Sequence, residues 1–324
     1  MSAFLPRSLS LLTIALLASA SVCAQTYPSH PIKLVVPFPP GGSTDVVARL
    51  LAQTLGEKLK QVIIVDNKPG AGTILGADSV AKAAPDGYTL LLSGATTYTI
   101  NSVVYKKLPY DPLTSFDPLG IVGSTPLVLL VNPAIKANSL KELVEEVKKI
   151  PGSLPYGSFG TGTTSHFAGE MINAATQMKL LHVPYKGSAP AMQDLLGNQI
   201  SLSVDTVVAA VPQVKAGKVK AIAVTSPARS SLLPQVPTAA EAGFPSVSFS
   251  TWFAIVGPKG MPAPVRSVLE AAIASTMREK TVQDALSKSG YDPEYGTPDD
   301  YRRRVPQEIA QLRVIAEAAK ITPD

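Results

Sequence analysis

Residues 33–55, KLVVPFPPGGSTDVVARLLAQTL, decide how the rest of the chain reads. They complete an apolar run, 32–36, with the length and β-branching of a buried strand. Pro37, Pro39 and Pro40 lack the N–H that a sheet ladder needs and stop it. Gly41 and Gly42 leave a bare backbone that a ligand can approach. Ser43, Thr44 and Asp45 are N-cap types, and Val46, Val47, Leu50, Leu51 and Leu55 recur behind them at helical spacing. A strand that ends in a glycine turn and feeds a helix leaves the helix's first N–H groups facing the strand end. Those donors and the helix dipole favour an anion. An ordinary capped connection has the same local sequence, so this stretch alone leaves both readings open.

The chain has 324 residues, more than one average domain, and its 45% hydrophobic and 16% charged content excludes disorder. Part of the apolar excess lies in residues 1–24, with Arg7, an apolar stretch over 9–20, and Val22-Cys23-Ala24 before Gln25. That is the grammar of a cleaved signal peptide. Ala20-Ser21-Val22 is a poor lipobox, which argues against a lipoprotein cut before Cys23. The apolar stretch is too short to span a membrane and no later segment approaches that length. The expected mature protein is therefore secreted and not membrane-spanning. Cleavage removes Arg7 and no acidic residue, so the formal charge falls from +5 to +4. It also removes Cys23, the only cysteine, excluding disulfides, thiol nucleophiles and thiolate metal sites. The basic residues are scattered without a nucleic-acid motif, so no nucleic-acid partner is expected.

Strands follow at 62–65, 88–92 and 127–131, with a helix at 73–83 and a short one near 101–105. The alternation then restarts: helix 140–150, strand 154–158, a helix to 177, strand 180–183, helix 189–196, and strands 200–204 and 219–225. Residues 159–166, FGTGTTSH, repeat the opening design of strand end, glycines, hydroxyls and helix start. Strand–helix alternation implies a doubly wound, mostly parallel sheet that binds ligands at the carboxyl ends of its strands. Two such loops in separate halves imply an α/β protein of two lobes closing on one ligand. The expected division is 25–126 with 249–324 for lobe 1 and 127–248 for lobe 2, joined by hinge strands near 127–131 and 249–256. A small helix at 238–242 is expected in the connection. Helices at 264–275, 282–289 and 298–319 should pack back on lobe 1.

Several runs then carry a family resemblance together: PFPPGGSTDVVARLLA (37–52), NKPGAG (67–72), PDGYTLLL (85–92), GTGTTSHFAGE (160–170), PYKG (184–187), DLLGNQI (194–200) and VPTAAEAGF (236–244). Trp252 and the Gly-Met-Pro at 260–262 complete the set. In this order the chain resembles the Bug family of periplasmic solute receptors, the binding components of tripartite tricarboxylate transporters. The resemblance implies a two-lobed periplasmic binding protein of type II with a small organic carboxylate in its cleft, and a monomer is expected. It also implies delivery of that ligand to a two-subunit membrane transporter, or in some members to a sensor kinase. On this sequence, Pro40, Gly41, Gly42, Ser43 and Thr44 would grip the carboxylate together with Gly160, Thr161, Gly162, Thr163, Thr164 and Ser165. Ser93, Gly94 and Ala95 would line the first-lobe wall. His166 sits in a first helical turn, where it serves the site or the fold. Lys186 and Asp205 lie at second-lobe strand ends. Lys186 reads equally as a solvated turn lysine, and Asp205 as a helix cap or an acceptor for a ligand ammonium. Phe38 and Tyr98 read as core aromatics or a pocket floor, and Trp252 as hinge or cleft packing. Asp45 should cap its own helix rather than meet an anion.

Enzymatic readings fit less well. The run 156–160, YGSFG, lacks the first glycine of a nucleophile elbow, and no histidine follows His182. Gly160, Gly162 and Ser165 form an imperfect dinucleotide fingerprint, no Walker lysine is present, and His30, His166 and His182 lack metal-ligand spacing. No catalytic residue, metal or cofactor is expected, and a secreted α/β hydrolase is the competing reading.

Overall fold

A computed structural model describes residues 27–149, 154–319 and 321; the expected signal segment, 1–24, lies outside the described residues. The opening stretch folds as its pattern requires, into β1 (Ile32–Val36) and α1 (Ser43–Leu59). Apart from the exposed Lys33, β1 is buried on both faces, which fits its largely apolar sequence. Ile32, Leu34 and Val36 pack with Val47, Leu51 and Leu55 of α1, while Val35 packs with Ala77 and Val80 of α2 (Ile74–Ala81). β2 (Ile63–Asn67) and β3 (Thr89–Gly94) pair with β1 in parallel. A π-helical turn, Thr96–Ile100, then runs into α3 (Asn101–Val104).

The next strand, β4, runs Phe116–Val131, far longer than the expected 127–131. Pro118, Pro126, Gly120 and Gly123 break its pattern in sequence. The ladder absorbs them by register shifts between Pro118 and Gly120 and between Ile121 and Ser124. The second half continues with α4 (Leu140–Lys148), β5 (Pro155–Ser158), α5 (Thr164–Thr176), β6 (Leu181–Pro184) and α6 (Ser188–Leu196). β7 (Leu202–Thr206), α7 (Val207–Lys215) and β8 (Lys220–Val224) follow. The helix expected at 238–242 is only a turn: Ala242 N–H reaches Thr238 O, and Gly243 leaves the helical region at φ +97°. β9 (Ser250–Pro258), α8 (Ala263–Arg278), α9 (Lys280–Lys288) and α10 (Pro298–Ala319) end the chain.

The strand order is β2-β1-β3-β9-β4 in one lobe and β8-β4-β7-β5-β6 in the other. In each lobe one strand opposes the rest: β9 in the first, antiparallel to β3 and β4, and β4 in the second, antiparallel to β7 and β8. Each of these enters from the other lobe through the cleft, so it runs away from the cleft while its neighbours run toward it. β4 changes partner abruptly, from Ser250 opposite Pro126 to Thr206 opposite Leu127. Thr225 ties the two crossings together, donating its N–H to Leu127 O (2.9 Å) and accepting from Phe249 N–H (2.7 Å). The C-terminal helices pack on the first lobe as expected. α10 also reaches across, its Leu312 and Ala316 packing with Phe167 of α5.

Candidate functional site

The carboxyl ends of β1, β3, β5 and β7 meet between the lobes, and Asn67 at the end of β2 braces the loop after β1, its Nδ2 donating to Phe38 O (3.0 Å) and Asp45 Oδ1 (3.0 Å). Two spaces open here, sharing Phe38, Pro39 and Phe159 as a common wall. The inner pocket is about 20 Å³, room for about one water. Pro40, Gly42, Ser43, Thr44, Gly94 and Thr96 line it from the first lobe, and Thr164, Ser188, Ala189 and Thr206 from the second. β9 adds Thr251 and Phe253.

Four helices begin at this pocket. Ser43 and Thr44 lie in the first turn of α1, Thr164 opens α5, Ser188 opens α6, and Thr206 is the N-cap of α7. First-turn N–H groups have no acceptor inside their own helix, and each helix start carries partial positive charge worth about 0.3–1 kcal/mol to a nearby anion. No charged side chain lines the pocket. The lobes already touch across it: Thr164 N–H donates to Thr96 Oγ1 (3.1 Å), and Phe38 meets Phe159 edge-on at 6.1 Å.

The expected N-cap set needs correction. Gly42 caps α1 without a side-chain bond, which leaves the hydroxyls of Ser43 and Thr44 uncommitted to the cap. Asp45 instead turns back on the loop, where its Oδ2 accepts from Gly41 N–H (2.9 Å) and Arg49 Nε (2.9 Å). It therefore fixes the glycine turn and faces away from an anion. Burial pushes this carboxyl up, but the bonds from Arg49, Gly41 and Asn67 outweigh it and hold the group below its ordinary value of 3.8. A depressed folded value means that the unfolded chain takes up the proton first as pH falls. Asp45 thus stabilises fully above the ordinary carboxylate range, and the contribution fades as pH drops through the lowered value. Asp45→Asn is expected to cost about 1–3 kcal/mol in urea unfolding at pH 7. The difference from the parent should shrink below about pH 4; a pH-independent difference would contradict this role.

In the second loop, Gly162 N–H donates to His166 Nδ1 (3.1 Å) and Thr163 Oγ1 donates to Gly160 O (2.6 Å). His166 stacks on His182 with ring centroids 3.9 Å apart, and Ser165 Oγ donates to Val204 O (2.5 Å). Ser165 and His166 thus build the loop from behind. Gly162 presses against Val104 and Tyr105 of the other lobe, where an added Cβ would come within 3.1 Å of Val104. Thr161 and Thr163 line the outer chamber, about 710 Å³, together with Gly160, Tyr105 and the exposed Lys186.

Of the expected first-lobe wall, Gly94 lines the pocket, and a Cβ there would sit 2.9 Å from Trp252 O. Ser93 is buried against Thr97, and Ala95 belongs to the lobe core. Tyr98 and Trp252 are fully buried there too, stacked at 5.8 Å. Asp205 is 1% exposed and lines neither space. Its Oδ2 accepts from Ser188 Oγ (2.5 Å) and its Oδ1 from Thr206 N–H (2.7 Å). Burial lifts its carboxyl to about 6, against the lowering effect of those bonds. Thr206, not Asp205, caps the following helix, accepting from Ala209 N–H (3.3 Å).

The inner-pocket hydroxyl residues that sequence reasoning missed are Thr96, Ser188, Thr206 and Thr251, and it also missed Pro39, Phe159, Ala189 and Phe253. Gly187-Ser188 carries the same glycine–hydroxyl–helix signal as the first two loops. Thr96 and Thr251 have no local signal, because their place depends on strand crossing. Ser158 and His182 are hydrogen-bonded (2.7 Å), but Ser158 is fully buried and lines neither space. Burial and His166 pull His182 down to about 3. Among the described residues no cluster of three or more His, Cys, Asp or Glu could hold a metal, and no helix is long and apolar enough to cross a membrane.

The family model "Tripartite tricarboxylate transporter family receptor" matches residues 47–321. Protein BugT of Bordetella pertussis is 39% identical over 292 residues, 90% of each chain. The structure of the periplasmic binding protein BugD is 36% identical and superposes with a TM-score of 0.88, over 92% of this chain and 100% of that one. R. palustris Rpa4515 with adipate is 34% identical, with a TM-score of 0.89 over the same shares.

Proposed function

We propose a function for this chain as a member of the tripartite tricarboxylate transporter receptor family, to which it belongs. As in that family, it is a periplasmic solute-binding receptor of two lobes. It captures a small organic carboxylate in the inner pocket and delivers it to membrane transporter subunits; the same closed form would serve a sensor kinase. The observation that carries this reading is the convergence of four helix starts on a pocket lined by hydroxyls and no charged side chain. Three or four charge-assisted bonds of about 1.5–3 kcal/mol each hold a carboxylate without a guanidinium. That Rpa4515 was solved with adipate supports the ligand class.

The chain acts as a monomer, without catalysis, after removal of residues 1–24. Lobe 1 comprises 25–126 and 249–324 and lobe 2 comprises 127–248, a division supported by the change of β4 partner after Pro126. The lobes already touch across the inner pocket, so they part at the two crossings to load and close on the ligand. The ligand must favour the closed state for closure to signal anything.

The test is a thermal-shift screen of refolded, ligand-free protein against mono-, di- and tricarboxylates, aromatic acids and amino acids, each beside its amide. A ligand at 100 times its Kd adds about 2.7 kcal/mol of stability. A shift with an acid and none with its amide supports the reading. Folded protein that shifts with no acid, or that turns over an ester or amide, overturns it.

A further inference from the structure

Two pocket hydroxyls reach the buried Asp205 carboxylate, Thr206 Oγ1 only at 3.5 Å to Oδ1 and Ser188 Oγ far more closely to Oδ2. Ser188 Oγ donates to Asp205 Oδ2 at 2.5 Å, and Asp205, 1% exposed, has no salt-bridge partner among the described residues. The other Asp205 oxygen takes Thr206 N–H at 2.7 Å, which fixes the carboxylate's orientation. An ionised carboxylate only accepts, so the single hydroxyl proton of Ser188 points at Asp205. What remains of that oxygen toward the pocket is lone pair. The backbone N–H of the same residue, at the start of α6, has no acceptor within its helix. Ser188 thus offers one donor and one acceptor within a residue's width, whereas the first turn of α1 offers backbone donors.

We infer that Asp205 is a positioning residue that makes Ser188 a hydrogen-bond acceptor, so that the pocket selects acids carrying a donor, a hydroxyl or an ammonium, beside the carboxylate. This rests on the carboxylate-receptor reading and deepens it. Adipate, the ligand in the Rpa4515 structure, carries no such donor, so this chain's selectivity should differ from a simple fit to chain length. The physical cause is the cost of leaving a buried acceptor unpaired: an acid without the donor removes water from Ser188 and returns nothing. Asp205 acts on the ligand through Ser188, and needs no contact of its own with an ammonium.

The experiment is calorimetry of the purified, refolded protein with matched sets: malate, aspartate and succinate; 2-hydroxyglutarate, glutamate and glutarate; lactate, alanine and propionate; mandelate, phenylglycine and phenylacetate. In the parent protein the donor-bearing member of the set that binds should be favoured about tenfold or more over its unsubstituted partner. Hydroxy and amino members show which donor is used. Ser188→Ala should bring that ratio close to one. In Asp205→Asn the side-chain oxygen stays with Thr206 N–H, so the amide nitrogen donates to Ser188 and turns its proton outward. The ratio should collapse there as well, with Ser188 still present. A structural role for Asp205 would weaken all acids alike and leave the ratio unchanged. An unchanged ratio in folded Ser188→Ala, or no preference in the parent, overturns the inference while leaving the carboxylate reading standing. A parent protein that binds no acid in any set overturns both.

Discussion

Ser43→Asp is expected to fold at least as well as the parent and to weaken carboxylate binding about a hundredfold or more. Ser43 is the first residue of α1 and lines the inner pocket. An acidic side chain there meets the positive end of a 17-residue helix, a favourable placement worth about 0.3–1 kcal/mol. On the proposed function the same charge sits where the ligand carboxylate goes, and like-charge juxtaposition in a desolvated site costs several kcal/mol. A hundredfold loss corresponds to about 2.7 kcal/mol. Stability and affinity therefore move in opposite directions, which a general disruption of the fold cannot produce. Ser43→Asn, with similar size and no charge, should lose far less. The measurements are calorimetric titration and urea unfolding of the same preparations; full affinity in Ser43→Asp would remove the start of α1 from the site.

Trp252→Ala should cost about 3–5 kcal/mol of unfolding free energy, the range for deleting a large buried aromatic. The indole is fully buried, stacked on Tyr98 at 5.8 Å and edge-on to Tyr301 at 5.9 Å. Its Nε1 donates to Glu308 Oε2 at 2.7 Å, tying β9 to α10. Burial already raises the Glu308 carboxyl, with Arg304, Trp252 and Thr99 opposing. Loss of the indole donor removes part of that compensation. Trp252→Phe keeps much of the packing and loses the bond, for an expected cost of about 1–3 kcal/mol. Ligand affinity per folded molecule should be unchanged in Trp252→Phe, although Thr251 beside it lines the pocket. A large affinity change at little cost in stability would instead return Trp252 to the hinge or cleft role.

Much of the site was legible because its grammar is local. A strand end, a glycine turn, hydroxyls and a helix start recur at 37–44 and 160–165, although Gly42 caps α1 without a side-chain bond and Thr163 caps α5 with one. The same grammar at Gly187-Ser188 was readable too, but Lys186 drew attention as the charged residue. Lys186 borders the outer chamber, and no charged side chain lines the inner pocket. Asp205 likewise shows only a strand end in sequence, and its burial behind Ser188 emerges only when β7 and α6 pack.

The alternation of strands and helices, the two glycine–hydroxyl loops and the likeness to a receptor family can be read from the chain alone, because these depend on neighbours within a few residues. The sequence alone could not determine the course of β4, whose prolines and glycines break the pattern at 118–126 although the backbone stays extended against β9. Nor could it bring Thr96 to Thr164 or Thr251 to Gly94, which lie far apart in the chain. Those contacts exist because two strands cross between the lobes and turn both sets of strand ends toward one cleft. Local sequence thus specified the donors, and the crossings decided that four helix starts share one pocket.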